Sequence, residues 1–367
     1  MKLGRWVLCA GLLLGLALPA SALQIIKGPY LQSATQVGIV VMWQTDEPAA
    51  SIVDYGPTAN YGGTAGAPGP ATIHEVALTG LAPDTAYHYR VRSGGAASAD
   101  ALLRTAVRPG TPFRFAVYGD SRSDPESHHR VVEGMISAEP RFVLHVGDLV
   151  GSGDNYEQWQ TEFFDPAAEL MRELPMWIAI GNHERNSHWF YDFFSFPKPE
   201  NYYAFDYGSA HFAIVDTDQP YDTDSAQYKW LEAELASDAA QKADWLFVAF
   251  HEPGYSEGWD SAGYDGSDDV RSYLMPLLEK YAVDMVFNGH THDYERGVYN
   301  GVYYIISGGG GAPLDRFYRG FEHVVRSFYV YHYCTVDLDG PTLTLRAVAP
   351  EGQVIDEMVA RKRPWPR

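Results

Sequence analysis

The chain has 367 residues, 46% of them hydrophobic and 14% aromatic, and a formal net charge of −20. That length suits two domains better than one, and the apolar content supports a large core and excludes disorder as the default state. The acidity excludes a broad basic surface for nucleic acid, and the terminal Arg361-Lys362-Arg363 is too short to change that.

Lys2 and Arg5 precede an apolar run, Trp6 to Leu18, which Pro19-Ala20-Ser21-Ala22 follows. A charged start, a short apolar centre and an Ala-x-Ala end form a secretory signal over residues 1–22, with cleavage near Ala22 and export to the periplasm or the medium. The run is too short to span a bilayer comfortably, and no later stretch reaches the ~18 apolar residues a spanning helix needs. Cys9 lies within the signal, so Cys334 alone remains in the mature chain. No intramolecular disulfide is then possible, and Cys334 reads as a buried strand residue.

Residues 23–107 read as all-β. Val37, Ile39 and Val41 alternate, and turn clusters such as Asn60-Tyr61-Gly62-Gly63 separate the strands. Pro83-Asp84 delivers a strand on which Tyr87, Tyr89 and Val91 share a face, and Trp43 lies on an earlier strand. This stretch resembles a fibronectin type III sandwich, a module that positions or recognises and performs no chemistry. Arg108-Pro109-Gly110-Thr111-Pro112 reads as a linker into residues 111–367.

Beyond the linker the period changes. Strands are expected at Phe113–Tyr118, Arg141–Val146, Met176–Ile180, Trp245–Phe250 and Val283–Asn288, with a strand pair at Tyr203–Phe205 and His211–Val215. Helices are expected after the first strand (stripe Val131, Val132, Met135, Ile136), at Glu157–Glu173 with an interruption near Asp165-Pro166, around Tyr228, Leu231 and Leu235, and at Tyr273–Tyr281 despite Pro276. Strand alternating with helix makes this a layered α/β domain, whose ligands gather beyond the carboxyl ends of strands.

Five strands end in a metal-capable side chain beside or near a glycine: Asp120, Asp148, Asn182, His251, and the pair His290 and His292. In extended backbone the two imidazoles of the pair leave on one side. Singly, the aspartates read as solvated caps and His251 as a loop histidine. Together, three imidazoles, two carboxylates and one amide oxygen match Fe, Zn or Mn, are too nitrogen-rich for calcium, and suit two ions sharing one carboxylate.

The blocks Gly119-Asp120, Gly147-Asp148, Gly181-Asn182-His183-Glu184, Phe250-His251-Glu252-Pro253 and Gly289-His290-Thr291-His292 resemble, in order, those of the calcineurin-like metallophosphoesterases. The continuation Asp293-Tyr294-Glu295-Arg296, and the sandwich ahead of the catalytic domain, are closer to the purple acid phosphatases. The resemblance implies a four-layer α/β sandwich with two divalent or trivalent ions (Fe, Zn or Mn) at the strand ends. Asp148 would bridge them, Asp120 and His292 would hold the first, and Asn182, His251 and His290 the second. It departs from the families at two positions: Arg122 stands where metallophosphoesterases commonly place a histidine, and Gly151 where purple acid phosphatases place a tyrosine. Without tyrosinate no purple colour is expected, and Arg122 is assigned to a bidentate grip on substrate phosphate.

The implied reaction is hydrolysis of a small phosphorylated substrate, a phosphomonoester, by in-line attack of a metal-bound hydroxide, with His183 as general acid or charge stabiliser. Phosphodiesters or nucleotides are the alternative substrates. A secreted binding protein with a degenerate metal site is the alternative from a different class. His145 reads as core, His128 and His129 as surface residues of the following helix with either as an alternative ligand for the first metal, and His188 equally as a residue of the substrate cleft or of the solvated surface. Gly308 to Gly311 lacks the Lys-Ser/Thr ending of a P-loop and reads as a tight turn near the site. Phe328 to Tyr333 reads as a core strand.

Overall fold

The computed structural model describes residues 22–258, 264–315 and 320–362. Apart from Ala22, the expected signal lies outside the described residues, as does Arg363. No helix among the described residues is long and apolar enough to cross a membrane.

Strands β1 (Ile25–Gln32), β2 (Gly38–Gly56), β3 (Gly63–Thr79), β4 (Ala86–Ser93), β5 (Ala96–Ala97) and β6 (Ala101–Arg104) form one antiparallel sheet, β1-β2-β4-β5, with β3 on β2 and β6 on β4. The 19-residue β2 pairs with β1 in its first half and with β4 in its second, so a single strand ties the domain together. The alternation at Ile39 and Val41 turns both inward with Trp43, against Tyr89, Val91 and Leu103. Trp43 Nε1 donates to Ser93 Oγ at 2.9 Å and the ring stacks on His74.

The second part runs β7 (Phe113–Tyr118), α1 (Pro125–Ser137), β8 (Val143–His145), α2 (Tyr156–Gln158), α3 (Asp165–Glu173), β9 (Met176–Ile178), α4 (His188–Phe193), β10 (Tyr203–Tyr207) and β11 (Ala210–Ile214). It continues α5 (Ala226–Leu235), α6 (Asp238–Lys242), β12 (Trp245–Ala249), α7 (Met275–Lys280), β13 (Met285–Asn288), β14 (Tyr294–Tyr299), β15 (Val302–Ser307), β16 (Val324–Phe328), β17 (Tyr333–Asp339), β18 (Thr342–Val348) and β19 (Val354–Arg361). Two mixed sheets result, β19-β18-β17-β7-β8-β9 and β10-β11-β12-β13-β15-β14-β16. In the first, β7, β8 and β9 are parallel; in the second, β11, β12, β13 and β15 are. The sheets pack face to face through aromatic rings: Phe115 meets Phe212, Phe247 and Phe287 edge-on, with centroids 5.4–5.9 Å apart. Val131, Val132 and Met135 of α1 cover one outer face; Leu231 and Leu235 of α5 and Leu277 and Leu278 of α7 cover the other. This is the expected α/β four-layer arrangement, although Ile136 of the α1 stripe is exposed.

The expected interruption at Asp165-Pro166 is absent. The helix runs through from Tyr156 to Glu173 because Trp159–Phe164 forms a π-helical turn, with Asp165 N–H donating to Gln160 O five residues back. The wider turn seats a proline that has no N–H and would clash with a regular preceding turn. Val270–Leu274 before Pro276 repeats the device. The expected strand over Phe328–Tyr333 is also broken. β16 ends at the exposed Phe328, and β17 starts at Tyr333, with buried His332 between them. Cys334 is buried on β17 and free, as expected.

The two parts share a core, in which Tyr30 and Met42 of the β-domain pack with apolar residues of the second part. Tyr30 Oη donates to Phe193 O at 2.7 Å and Tyr89 Oη to Arg172 O at 2.6 Å, both from strands of the β-domain.

Candidate metal centre

Each metal-capable residue named from the sequence sits just beyond a strand: Asp120 after β7, Asp148 after β8, Asn182 after β9, His251 after β12, His290 and His292 after β13. Parallel registers bring these ends to one edge of the two sheets. Asp120, Asp148 and His290 hold left-handed backbone, with φ of 56°, 58° and 74°. Such conformations are costly outside glycine and concentrate at functional sites, where the surroundings impose them. Two neighbouring glycines are fixed by close approach. A Cβ on Gly181 would stand 2.3 Å from Asp148 Oδ1, and one on Gly289 2.4 Å from Asp120 Oδ2.

One group of donors fits an ion. His251 Nδ1 donates to Val146 O at 2.8 Å, so in the neutral imidazole the lone pair sits on Nε2. That Nε2 lies 3.2 Å from His290 Nδ1 and 3.3 Å from Asp148 Oδ1, and His290 Nδ1 lies 3.1 Å from Asn182 Oδ1. Ligands bonded at about 2.1 Å to one tetrahedral or octahedral ion stand roughly 3.0–3.4 Å apart, so the spacing matches a shared cation. Asp120, Asp148 and His251 also bring their donor atoms within 4.8 Å of one another, all buried. Burial alone would lower His251, but the Asp148 and Asp120 carboxylates push it up to about 10. Burial likewise opposes ionisation of Asp148, yet the His251, His183 and Arg122 charges hold it well below the usual range. Asp120 is pushed well above it, chiefly by burial.

The other group contains a guanidinium. His292 Nδ1 donates to Pro313 O at 2.7 Å, leaving Nε2 as acceptor, 3.7 Å from Asp120 Oδ1. Arg122 Nη2 donates to that Nε2 at 3.2 Å, and Arg122 Nε donates to Asp148 Oδ2 at 3.2 Å. Both Asp120 oxygens accept from the His290 N–H, at 3.1 and 3.0 Å. As the side chains stand, these atoms do not fit a second ion, because the positive charge of Arg122 is already among them.

Several supports escaped the sequence reading. Glu184 is fully buried and ties two strand-end loops together: Oε2 accepts from Asp148 N and Gly181 N, and Oε1 from Leu149 N and Val150 N. Burial and Asp148 push its carboxyl up to about 8. We read it as the anion, since both oxygens are filled by N–H donors. Its position in Asn182-His183-Glu184 was the available signal. Glu162, on the π-helical turn, accepts from Gly151 N at 2.7 Å and Ser123 N at 3.1 Å, so it clamps the loop that follows Arg122 to the loop that follows Asp148. His145 accepts from Gly147 N at Nδ1 and meets Ser121 Oγ through Nε2 at 3.0 Å, which shapes the turn into Asp148.

His183 lies beside the centre: Nδ1 donates to Gly151 O at 2.7 Å, and Nε2 stands 3.8 Å from Asp148 Oδ2. Gly308–Gly311 is a turn against the site, as expected; Gly308 N donates to Asp293 O and Gly310 N to Gly119 O. His128 is a correction. It is fully buried rather than on the surface, and its nitrogens face Glu162 O and Tyr118 Oη, so it is not aimed at the donors. His129 is half exposed, and His188 is exposed and paired to Asp192.

Residues 113–294 match the calcineurin-like phosphoesterase family, and residues 28–105 match the purple acid phosphatase N-terminal domain. Purple acid phosphatase 21 of Arabidopsis thaliana is 32% identical over 263 residues, covering 65% of this chain and 58% of its own. The probable inactive purple acid phosphatase 27 of the same plant is 28% identical over 310 residues, covering 68% of this chain and 50% of its own. This chain thus spans about half the length of the curated relatives it matches. A purple acid phosphatase from yellow lupin (Lupinus luteus) seeds shares the fold with a TM-score of 0.81 at 22% identity, over 92% of this chain and 74% of that one.

Proposed function

The chain belongs to the calcineurin-like phosphoesterases and carries the purple acid phosphatase N-terminal domain, and from that premise we propose that it is an exported, metal-dependent phosphatase acting on small phosphomonoesters. The observation that carries the reading is the convergence of Asp148, Asn182, His251 and His290 donors at ligand-to-ligand spacing. Those four would hold an ion of the Fe, Zn or Mn kind. In the two-ion form of the reading, Asp120 and His292 would hold another, with Asp148 shared. A bound ion supplies an acidified water and polarises a phosphoryl oxygen.

The chain's own groups do the rest. Asp148 and Asp120 set the negative field that retains the cation. Arg122, with guanidinium N–H groups at the rim of the cluster, grips phosphate oxygens. His183 is fixed at Nδ1 by the Gly151 carbonyl, so in its charged form the transferable proton sits on Nε2 and goes to the departing alkoxide. Cleavage near Ala22 and export belong to the same proposal.

The test is hydrolysis of a chromogenic phosphomonoester and the matching diester by protein stripped with chelator and then reloaded. Reloading should restore monoester turnover, and His183→Ala should lower turnover roughly 10²-fold with metal content unchanged. Joint loss of metal and turnover in that variant would sink the acid assignment. A second reading, a binding protein without turnover, is favoured by Arg122 among the donors and by relatives described as probably inactive. It requires that no reloading restores hydrolysis of either ester.

A further inference from the structure

The geometry points to Arg122 as a built-in cation that takes the place of one metal ion. On this inference the centre binds a single metal on the Asn182, His251 and His290 side, with a guanidinium fixed next to it. The inference rests on the phosphoesterase reading and deepens it.

Three observations carry it. The donor atoms that the two-ion arrangement would give to its first ion, apart from Asp120, are filled by N–H groups of one side chain. Arg122 Nε serves Asp148 Oδ2, and Nη2 serves His292 Nε2, both at 3.2 Å. The lone pair on His292 Nε2 is fixed by the Pro313 carbonyl at the other nitrogen, so it is an acceptor for either a metal or an N–H and cannot serve both. The remaining carboxylate, Asp120, turns both oxygens to the His290 backbone N–H.

The second observation is that the guanidinium is held in place. Its side chain is only 16% exposed, and Nη1 meets Ser123 Oγ at 3.3 Å. Ser123 holds left-handed backbone at φ 73°, and its N–H is clamped by Glu162 Oε2, which also clamps Gly151. The loop that carries Arg122 is therefore tied to the loop that carries Asp148.

Third, charge favours one ion. With a cation bound to draw the proton off Asp120, the Asp120 and Asp148 carboxylates would supply two negative charges; one divalent ion and one guanidinium would offset them and leave a net positive site for a phosphate dianion. A second divalent ion would be pressed against a guanidinium that is always protonated. A monoester phosphate would then lie between metal and guanidinium, where the one N–H left on each of Nη1 and Nη2 would meet its oxygens.

Metal counting tests this without reference to activity. Protein stripped with chelator is reloaded with Mn²⁺, freed of excess by gel filtration, and analysed for manganese per chain and by electron paramagnetic resonance. The wild type and Arg122→Lys should each take one ion and give the six-line signal of isolated Mn²⁺. Arg122→His, which restores an uncharged donor, should take two ions and give an exchange-coupled signal. Two ions or a coupled signal in the wild type overturns the inference even if the variant does not fold, and so does one ion in a folded Arg122→His. No ion in any of the three would instead remove the metal reading on which the proposed function stands.

Discussion

On the Asn182 side of Asp148, three donor atoms of two imidazoles and an amide face one another at 3.1–3.2 Å. On the Asp120 side, a guanidinium bridges an imidazole and a carboxylate at 3.2 Å. The two regions are built on equivalent strand ends and share one carboxylate, and on the inference drawn from Arg122 only the first would receive a cation. A fold can thus keep a set of potential ligands while one side chain decides how many of them serve a metal.

The largest effect that separates the two halves comes from cutting one imidazole on each side. His251→Ala should lose the ion and, with several kcal/mol of transition-state stabilisation gone, roughly 10³-fold in kcat/KM. His292→Ala should keep the ion and lose about tenfold. Equal loss of ion and activity in both, measured by metal analysis alongside kinetics, would erase the distinction. Glu184→Gln should weaken both halves together. A side-chain NH₂ placed against backbone N–H donors leaves buried groups unpaired, at a cost of about 3 kcal/mol in denaturant unfolding. An unchanged midpoint would show that the four contacts carry no stability.

Acidity gives the next contrast. His251 is raised to about 10 in the metal-free chain, so its proton is present at neutrality and an ion arriving at Nε2 must displace it. Ion affinity should then rise about tenfold per pH unit from about 7 towards 10, with one proton released per ion. Titration calorimetry in two buffers of different ionisation enthalpy reads this directly, and zero release contradicts it. The sign for the metal-free fold is the reverse. The His251–Asp148 pair stabilises fully below about 6.5, and this contribution is lost as pH rises through about 10. The smallest effect is expected of Glu162→Ala, which frees the Arg122 and Gly151 loops. Monoester KM should rise about fivefold to tenfold while the ion remains bound. Loss of the ion would show that the clamp serves the metal side instead.

Much of this was legible before any coordinates. The change from alternating to helical period marked the α/β part, and glycine next to a metal-capable residue at successive strand ends marked the centre. The donors came together because parallel strands deliver their carboxyl ends to one edge, a consequence of topology that sequence periodicity can reach. Arg122 could be named as a departure but not placed, since its contact with His292 joins residues 170 apart in the chain. His128 was misjudged because a histidine on an amphipathic helix looks solvated until Glu162 O and Tyr118 Oη arrive from other elements. Pro166 looked like a break because the π-helical turn that accommodates it has no signature in residue pattern.

The most direct measurement is anomalous diffraction at the zinc edge from crystals soaked in Zn²⁺. The account predicts one peak, about 2.0–2.2 Å from Asn182 Oδ1, His251 Nε2, His290 Nδ1 and an Asp148 oxygen, with Arg122 still on His292. A peak between Asp120 and His292, or none beside Asn182, would contradict it.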